Sequence, residues 1–483
     1  MTAPTLATFF TGNGSRSFDR LPADRCGKIY VDLPHRYFAD TDSMFEYLRS
    51  ARDLGANVML LLPHFLPSFS EYVVKDYERP CELFGTWQRF TSFMVAVRDL
   101  GMDRMIDIPF NHADRQAEHL KKHWFKQHET GGIEAGADDV DADGNRVRIN
   151  WGAYILENGN PELIRYWLDK IIVPHVGSMN VNAIRIDAAW GLDRNGLASI
   201  VGETKHRFPH VWFVAENLGM ARLIDLADSG LAAGAERYFN NMYWYDGGRY
   251  IPSDIYRFHK RSGRKPSCAI WSSHDVLMPA MKALALADAD RYGEITNDKA
   301  LHREIVDRNG VRSLSQVSDD LRQKVVSLMK LDFLLTCFMS ADLMFTAGSE
   351  HALLERINVL KTGPDEWTRG IRTDFPGFMK QLLRVRAGDP LFNCDGVLIP
   401  FGNWKRSPAG IKGYVKRLPG RDLLVAANMN LDEPRPLRLP ACIRRSEHVR
   451  EIIGDHFREG DGRNLSAEVM LAPGQGCVLY TGA

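Results

Sequence analysis

The chain of 483 residues carries 61 Lys and Arg against 61 Asp and Glu, with 45% apolar and 25% charged residues. Zero net charge gives no field to draw it to nucleic acid or an anionic membrane, and no apolar run reaches bilayer length, so a neutral small molecule or polymer is the expected partner. Seven scattered cysteines, with no close pair, argue against a disulfide framework or a thiolate metal site. With a start that lacks the basic and apolar regions of a signal peptide, they point to the cytoplasm.

The helix and strand signals then alternate along the chain. A strand at Ile29 to Leu33 precedes a helix at Thr41 to Leu54, stopped by Gly55, and a strand at Asn57 to Pro63. A helix at Thr86 to Leu100, stopped by Gly101, leads to the strand Arg104 to Pro109. Residues 112–158 form a polar insertion with an expected hairpin at Asp143-Gly144-Asn145, and an expected helix carrying His119, His123 and His128, of which only His119 and His123 share a face, read as a solvated surface in preference to a zinc site. Asn160 and Pro161 cap a helix whose apolar face runs from Leu163 to Ile172 and which Pro174 should end. Strands follow at Val181 to Asp187, Val211 to Glu216, Arg237 to Asn240, Cys268 to Ser272 and Leu343 to Thr346. About eight βα units imply an α/β fold of the closed (β/α)8 TIM-barrel kind. A second, charged insertion at Leu277 to Leu321 is expected to act as a lid or a wall. Beyond Leu391 short alternating runs predict a C-terminal antiparallel β-sandwich. The expected division is 1–111 and 159–390 for the barrel, 112–158 for the inserted subdomain and 391–483 for the β domain.

In a parallel barrel the C-terminal strand ends converge on one mouth. That gathers Asp107 and His112, the pair Arg185 and Asp187, Glu216, and the pair His274 and Asp275. Alternation on a strand sends Arg185 and Asp187 to the same side. Crowded carboxylates push one pKa up and leave a proton donor, while an Arg-paired neighbour stays ionised. Glycosidic cleavage needs this division, one carboxyl protonating the leaving oxygen and another attacking the anomeric carbon. Taken singly, Asp107 can serve only to satisfy backbone donors, and Tyr72 or the aromatic run Tyr238, Phe239, Tyr243, Trp244 and Tyr245 can be ordinary packing.

Asp107-Ile-Pro-Phe-Asn111-His112, Ala183-Ile-Arg-Ile-Asp187-Ala, Phe213-Val-Ala-Glu216-Asn and Ser272-Ser-His274-Asp275 occur in that order at successive strand ends. Together they resemble the motifs of the α-amylase family of glycoside hydrolases and transglycosylases. The resemblance implies Asp187 as nucleophile, Glu216 as general acid and base, and Asp275 as transition-state stabiliser. It further implies that Arg185 orients Asp187, that His112 and His274 bind sugar hydroxyls, that Asp107 braces the mouth, and that Tyr72 stacks on a sugar.

Many members hold a calcium at the position of Asn111, but partner ligands are not recognisable in the short insertion, so calcium is left open and no metal residue is assigned. Asp139-Val-Asp141-Ala-Asp143-Gly144 opens like a calcium loop, yet Asn150 stands where the closing Glu belongs, which favours a hairpin turn. Trp190-Gly191 replaces the Lys-His pair with which several members grip the acceptor sugar, so Trp190 is an expected substrate contact. Gly348-Ser-Glu350 and the stretch from Ile357 to Trp367 are similar to a segment of maltosyltransferase-like members. The expected activity is therefore retaining cleavage of α-glucosidic bonds in an α-glucan or maltooligosaccharide. A transglycosylase, a glycoside phosphorylase and a noncatalytic sugar-binding barrel are the alternatives.

Overall fold

Eight parallel strands close into a barrel in the computed structural model, which describes residues 27–129, 131–216, 234–240, 266–355, 363–364, 369–389, 391–402, 410–444, 449–453 and 467–481. In chain order they are Ile29–Leu33, Val58–Leu61, Asp103–Ile108, Ala183–Ile186, Trp212–Glu216, Arg237–Asn240, Ser267–Ile270 and Asp342–Thr346, the last pairing back onto the first. Each lies inside or within a residue of its expected run. Their period-two alternation sorts the side chains into two cores. Tyr30, Leu60, Met105, Ala183, Val214, Phe239, Ile270 and Met344 fill the barrel interior. The intervening residues, such as Val31, Ile106, Ile184 and Phe213, pack outward against the helices.

Local chemistry sets the helix ends. Helix Thr41–Leu54 starts in a reciprocal cap between Asp40 and Ser43 and stops at Gly55, whose φ of 128° suits glycine. Met44, Tyr47, Leu48 and Ala51 form its buried face. Asn160 Oδ1 accepts the amides of Glu162 and Leu163, with Pro161 in the first turn, as the sequence predicts. Pro174, however, does not end that helix. Residues Trp167–Ile172 widen into π turns and helical backbone continues through Val173–Gly177. The wider register puts Pro174 in a new first turn, where its missing N–H costs nothing.

The insertion after the third barrel strand carries the expected hairpin, Glu134–Val140 paired with Arg146–Ile155. Asp141 Oδ1 accepts the amides of Asp143 and Asn145, and Gly144 takes a φ of 87°. The expected helix with His119 and His123 on one face is absent. His119 has a φ of 67°, which a helix cannot continue, and only Lys122–Trp124 makes a short 3-10 turn.

The segment at Leu277 to Leu321 is largely helical, and its first helix, Pro279–Ala287, is apolar and mostly buried. Later in it, Arg303 bonds to Asp143 at 2.8 Å and Asn297 to the Asp141 carbonyl at 2.9 Å, so it meets the hairpin tip. At the C-terminal end, strands Val397–Gly402, Ile411–Leu418, Arg421–Asn428, Gly476–Thr481 and Val449–Ile453 form one antiparallel sheet. Arg435–Arg438 and Glu468–Leu471 form a separate ribbon. Among the described residues, no helix is long and apolar enough to cross a membrane.

Candidate active site

The alternation that points Met105 into the barrel centre points Asp107, two residues on, to the mouth; Ala183 leads likewise to Arg185, Val214 to Glu216 and Tyr30 to Asp32. Arg185 stands directly opposite Asp107 in the strand register. Its guanidinium is the hub. Nη1 bonds to Asp107 and lies 3.3 Å from Asp187 Oδ1, while Nη2 lies 2.6 Å from Glu216 Oε1. All four side chains are buried. Past the strand end, Ala188 adopts a left-handed conformation at φ 46°, and its N–H donates to Glu216 Oε2 at 2.6 Å. A non-glycine residue held in this strained region often marks a functional turn; here it connects the chain after Asp187 to Glu216.

Tyr72 closes another side. Its hydroxyl donates to Asp107 Oδ2 at 2.7 Å and lies 2.9 Å from His274 Nε2, with its ring stacked on that imidazole at 5.4 Å. His274 Nε2 is 3.3 Å from Asp275 Oδ2. Asp275 is about a third exposed, the most open of the three expected catalytic carboxylates. His112 is buried beside Trp151, ring centroids 5.3 Å apart. Thus Asp187, Glu216, Asp275, Arg185, Asp107, Tyr72 and His274 form one connected cluster, and His112 borders it through the Tyr72 backbone. The side chain of Trp190, Asn217, Tyr243 to Tyr245 and most of Ile357 to Trp367 lie outside the described residues. Tyr238 and Phe239 are fully buried and belong to the core.

Burial and crowding work against one expectation about charge. Arg185 was expected to keep Asp187 the ionised partner, but burial drives the Asp187 carboxyl well above the usual range, with Glu216 and Asp107 adding to the rise. Arg185 opposes this only in part, because one cation is shared by three carboxylates. Asp107 is likewise raised by burial, to about 6. The Asp187 and Asp107 carboxyls are thus both held above the ordinary carboxylate range. Burial alone would lower His274, but Asp275 and Asp32 outweigh it and lift the imidazole to about 10. His112, buried without such partners, falls to about 4. One histidine is thus a cationic donor and the other neutral.

Asp32 was missed in the sequence. Fully buried at the end of the first strand, its Oδ2 accepts both the backbone N–H of His274 and its Nδ1–H, each at 3.0 Å. The available signal was an acid two residues after Tyr30 in the apolar run Ile29–Leu33. Asn111 Oδ1 is buried and unpartnered. No group of three acidic or histidine ligand atoms forms around it among the described residues. Asn111 thus offers one unpaired amide oxygen, and no further calcium ligand is assigned beside it.

A scan against protein-family models and a search of characterised proteins returned no match. Solved structures do match. A noncanonic maltogenic α-amylase from Thermotoga neapolitana is similar over 95% of this chain and 99% of its own, at 16% identity and a TM-score of 0.64. An acarbose-complexed α-amylase from Geobacillus thermoleovorans is similar over 94% and 98%, at 13% and 0.64. A trehalose-6-phosphate hydrolase from Bacillus licheniformis is similar over 95% and 100%, at 12% and 0.65. With its eight-stranded parallel barrel and C-terminal antiparallel sheet, the chain has the fold of the α-amylase family of glycoside hydrolases.

Proposed function

We propose that the protein is a retaining α-glycosidase that cleaves α-glucosidic bonds of an α-glucan or maltooligosaccharide. The observation that carries this reading is the binding of Asp187 and Glu216 to the two terminal nitrogens of one buried guanidinium, with Asp275 beside the cationic His274. In this mechanism Glu216 protonates the glycosidic oxygen as Asp187 attacks the anomeric carbon. The glycosyl–Asp187 ester is then hydrolysed by water that Glu216, now a carboxylate, deprotonates. Arg185, which touches both groups, fixes the nucleophile and the acid relative to one another. Asp275 and His274 bind ring hydroxyls, His112 adds a neutral hydrogen-bonding edge, and Tyr72 offers its ring to the sugar's apolar face.

Trp190-Gly191, in place of a Lys-His acceptor grip, favours a second reading in which another sugar or phosphate replaces water as acceptor. The covalent intermediate partitions between acceptors without any change to the first step. Six cysteines among the described residues are unpaired, which supports a cytoplasmic setting.

Incubation with maltooligosaccharides, with product anomers followed by NMR, tests the mechanism: α-configured products are expected, and β-configured products refute retention. Adding excess acceptor sugar or phosphate separates hydrolysis from transfer. Asp187→Asn should lower turnover by about a thousandfold or more with the fold intact by circular dichroism. Undiminished turnover would overturn the assignment of Asp187 as nucleophile, whereas no turnover of any α-glucoside by the wild type would leave only a binding role for the barrel.

A further inference from the structure

Away from the barrel mouth, one ligand atom each from Asp76, Glu118 and His119 lies within 4.8 Å of the others. Asp76 sits on the strand Val74–Pro80, is fully buried, and its Oδ2 has no hydrogen-bond partner. An orphaned carboxylate oxygen of this kind is costly unless something cationic meets it. Its other oxygen accepts the Glu78 amide at 2.8 Å and lies 3.9 Å from His119 Nε2. The far side of that imidazole, Nδ1, faces Glu78 Oε1 at 3.9 Å. A carboxylate behind a histidine that points its other nitrogen at a shared centre is the usual outer support of a metal-bound imidazole.

We propose that Asp76, Glu118 and His119 bind a divalent transition-metal ion of the zinc type, with Glu78 orienting His119. One imidazole nitrogen with two carboxylates suits zinc or manganese better than calcium, which prefers oxygen ligands alone. Three protein ligands leave a tetrahedral ion one position for water. Ligands of such an ion stand about 3.4 Å apart, given metal–ligand bonds near 2.1 Å. Glu118 and His119 are exposed and can close that gap by rotation, while buried Asp76 stays fixed.

The ion would clamp two segments that serve the mouth. Asp76 follows Tyr72 by four residues, and Glu118 follows His112 by six. The segments already touch through the amides of Asp114 and Glu118, which donate to the carbonyls of Val74 and Lys75 at 3.1 and 2.8 Å.

The test titrates the full chain, stripped by chelator, with ZnCl2, MnCl2 or CaCl2 in a calorimeter, alongside thermal melts. Zinc should bind at one saturable site and raise the melting temperature. Glu118→Gln and His119→Ala should each weaken it by about tenfold or more, whereas His123→Ala, whose ring meets Glu162, should not. Three results overturn the proposal: no saturable zinc binding to the wild type, binding that survives the combined Glu118→Gln and His119→Ala change, or a calcium preference indifferent to His119→Ala.

Discussion

Arg185 shows how much one side chain decides at the mouth. Its planar fork meets Asp107 and Asp187 through one nitrogen and Glu216 through the other, a geometry a lysine ammonium cannot reproduce. Arg185→Lys should therefore lower kcat by about a hundredfold or more in steady-state assays, with a smaller change in KM. Asp32 acts through His274 and is a positioning residue. Asp32→Asn removes one of the two carboxylates that hold the imidazole near pKa 10, so NMR titration should find that pKa lowered. Glu71 offers a cleaner pH effect. Burial raises its carboxyl from the ordinary 4.5 to about 8, so the folded chain holds a proton that the unfolded chain has lost across that window. Its stabilisation is complete below pH 4.5 and is lost as pH rises toward 8. Glu71→Gln should flatten this decline, leaving the variant more stable than wild type by about 2–4 kcal/mol above pH 8 in denaturant titrations. Asp187 and Glu216 were legible as residues because acids at strand ends are chemically conspicuous. Asp32 was not, because a lone acid in an apolar strand gains its meaning only from the histidine across the barrel.

Elements were legible wherever caps and periodicity agreed. Thr41–Leu54 has both its reciprocal cap and its glycine stop written in the chain. Two failures arose where local signals ceded to context. Pro174 stops an ideal α-helix, but the preceding π turns reset the register. His119 and His123 have helical spacing, but a positive φ at His119 breaks the helix and turns its ring toward Asp76 and Glu78. Gly196 makes the same point in reverse. In the exposed interior of a helix, alanine would beat glycine by up to about 1 kcal/mol. Here a Cβ would press into the backbone carbonyl of Asn158, which cannot rotate away. Gly196→Ala should thus destabilise the chain by about 1–2 kcal/mol in thermal or denaturant melts, the clash outweighing the propensity.

At the scale of the molecule, the C-terminal sheet leans on the barrel. Tyr414 donates to the Leu335 carbonyl at 2.9 Å, and Gly476 lies so close to Leu334 that a side chain there would collide with it. Buried Arg386 bonds to the carbonyls of Cys337, Ser340, Ala341 and Phe392, tying the last barrel helix, Phe375–Gly388, to the segment that leads into the sheet. Arg386→Met should cost at least about 3 kcal/mol by orphaning several carbonyls, read as a lower midpoint in urea. Calorimetry should find the barrel and sheet unfolding in one transition; two separated transitions would contradict the shared core.

By itself the sequence determined the strand and helix order, the closed barrel and the identity of the acids at its mouth, because periodicity, caps and motif residues are local and survive in one dimension. Tertiary structure alone decided how those acids share one arginine, that burial pushes the Asp187 carboxyl up, that Asp32 grips His274, and that Asp76 meets His119. Those outcomes depend on burial and on distances between residues far apart in the chain, and neither quantity exists until the barrel has closed.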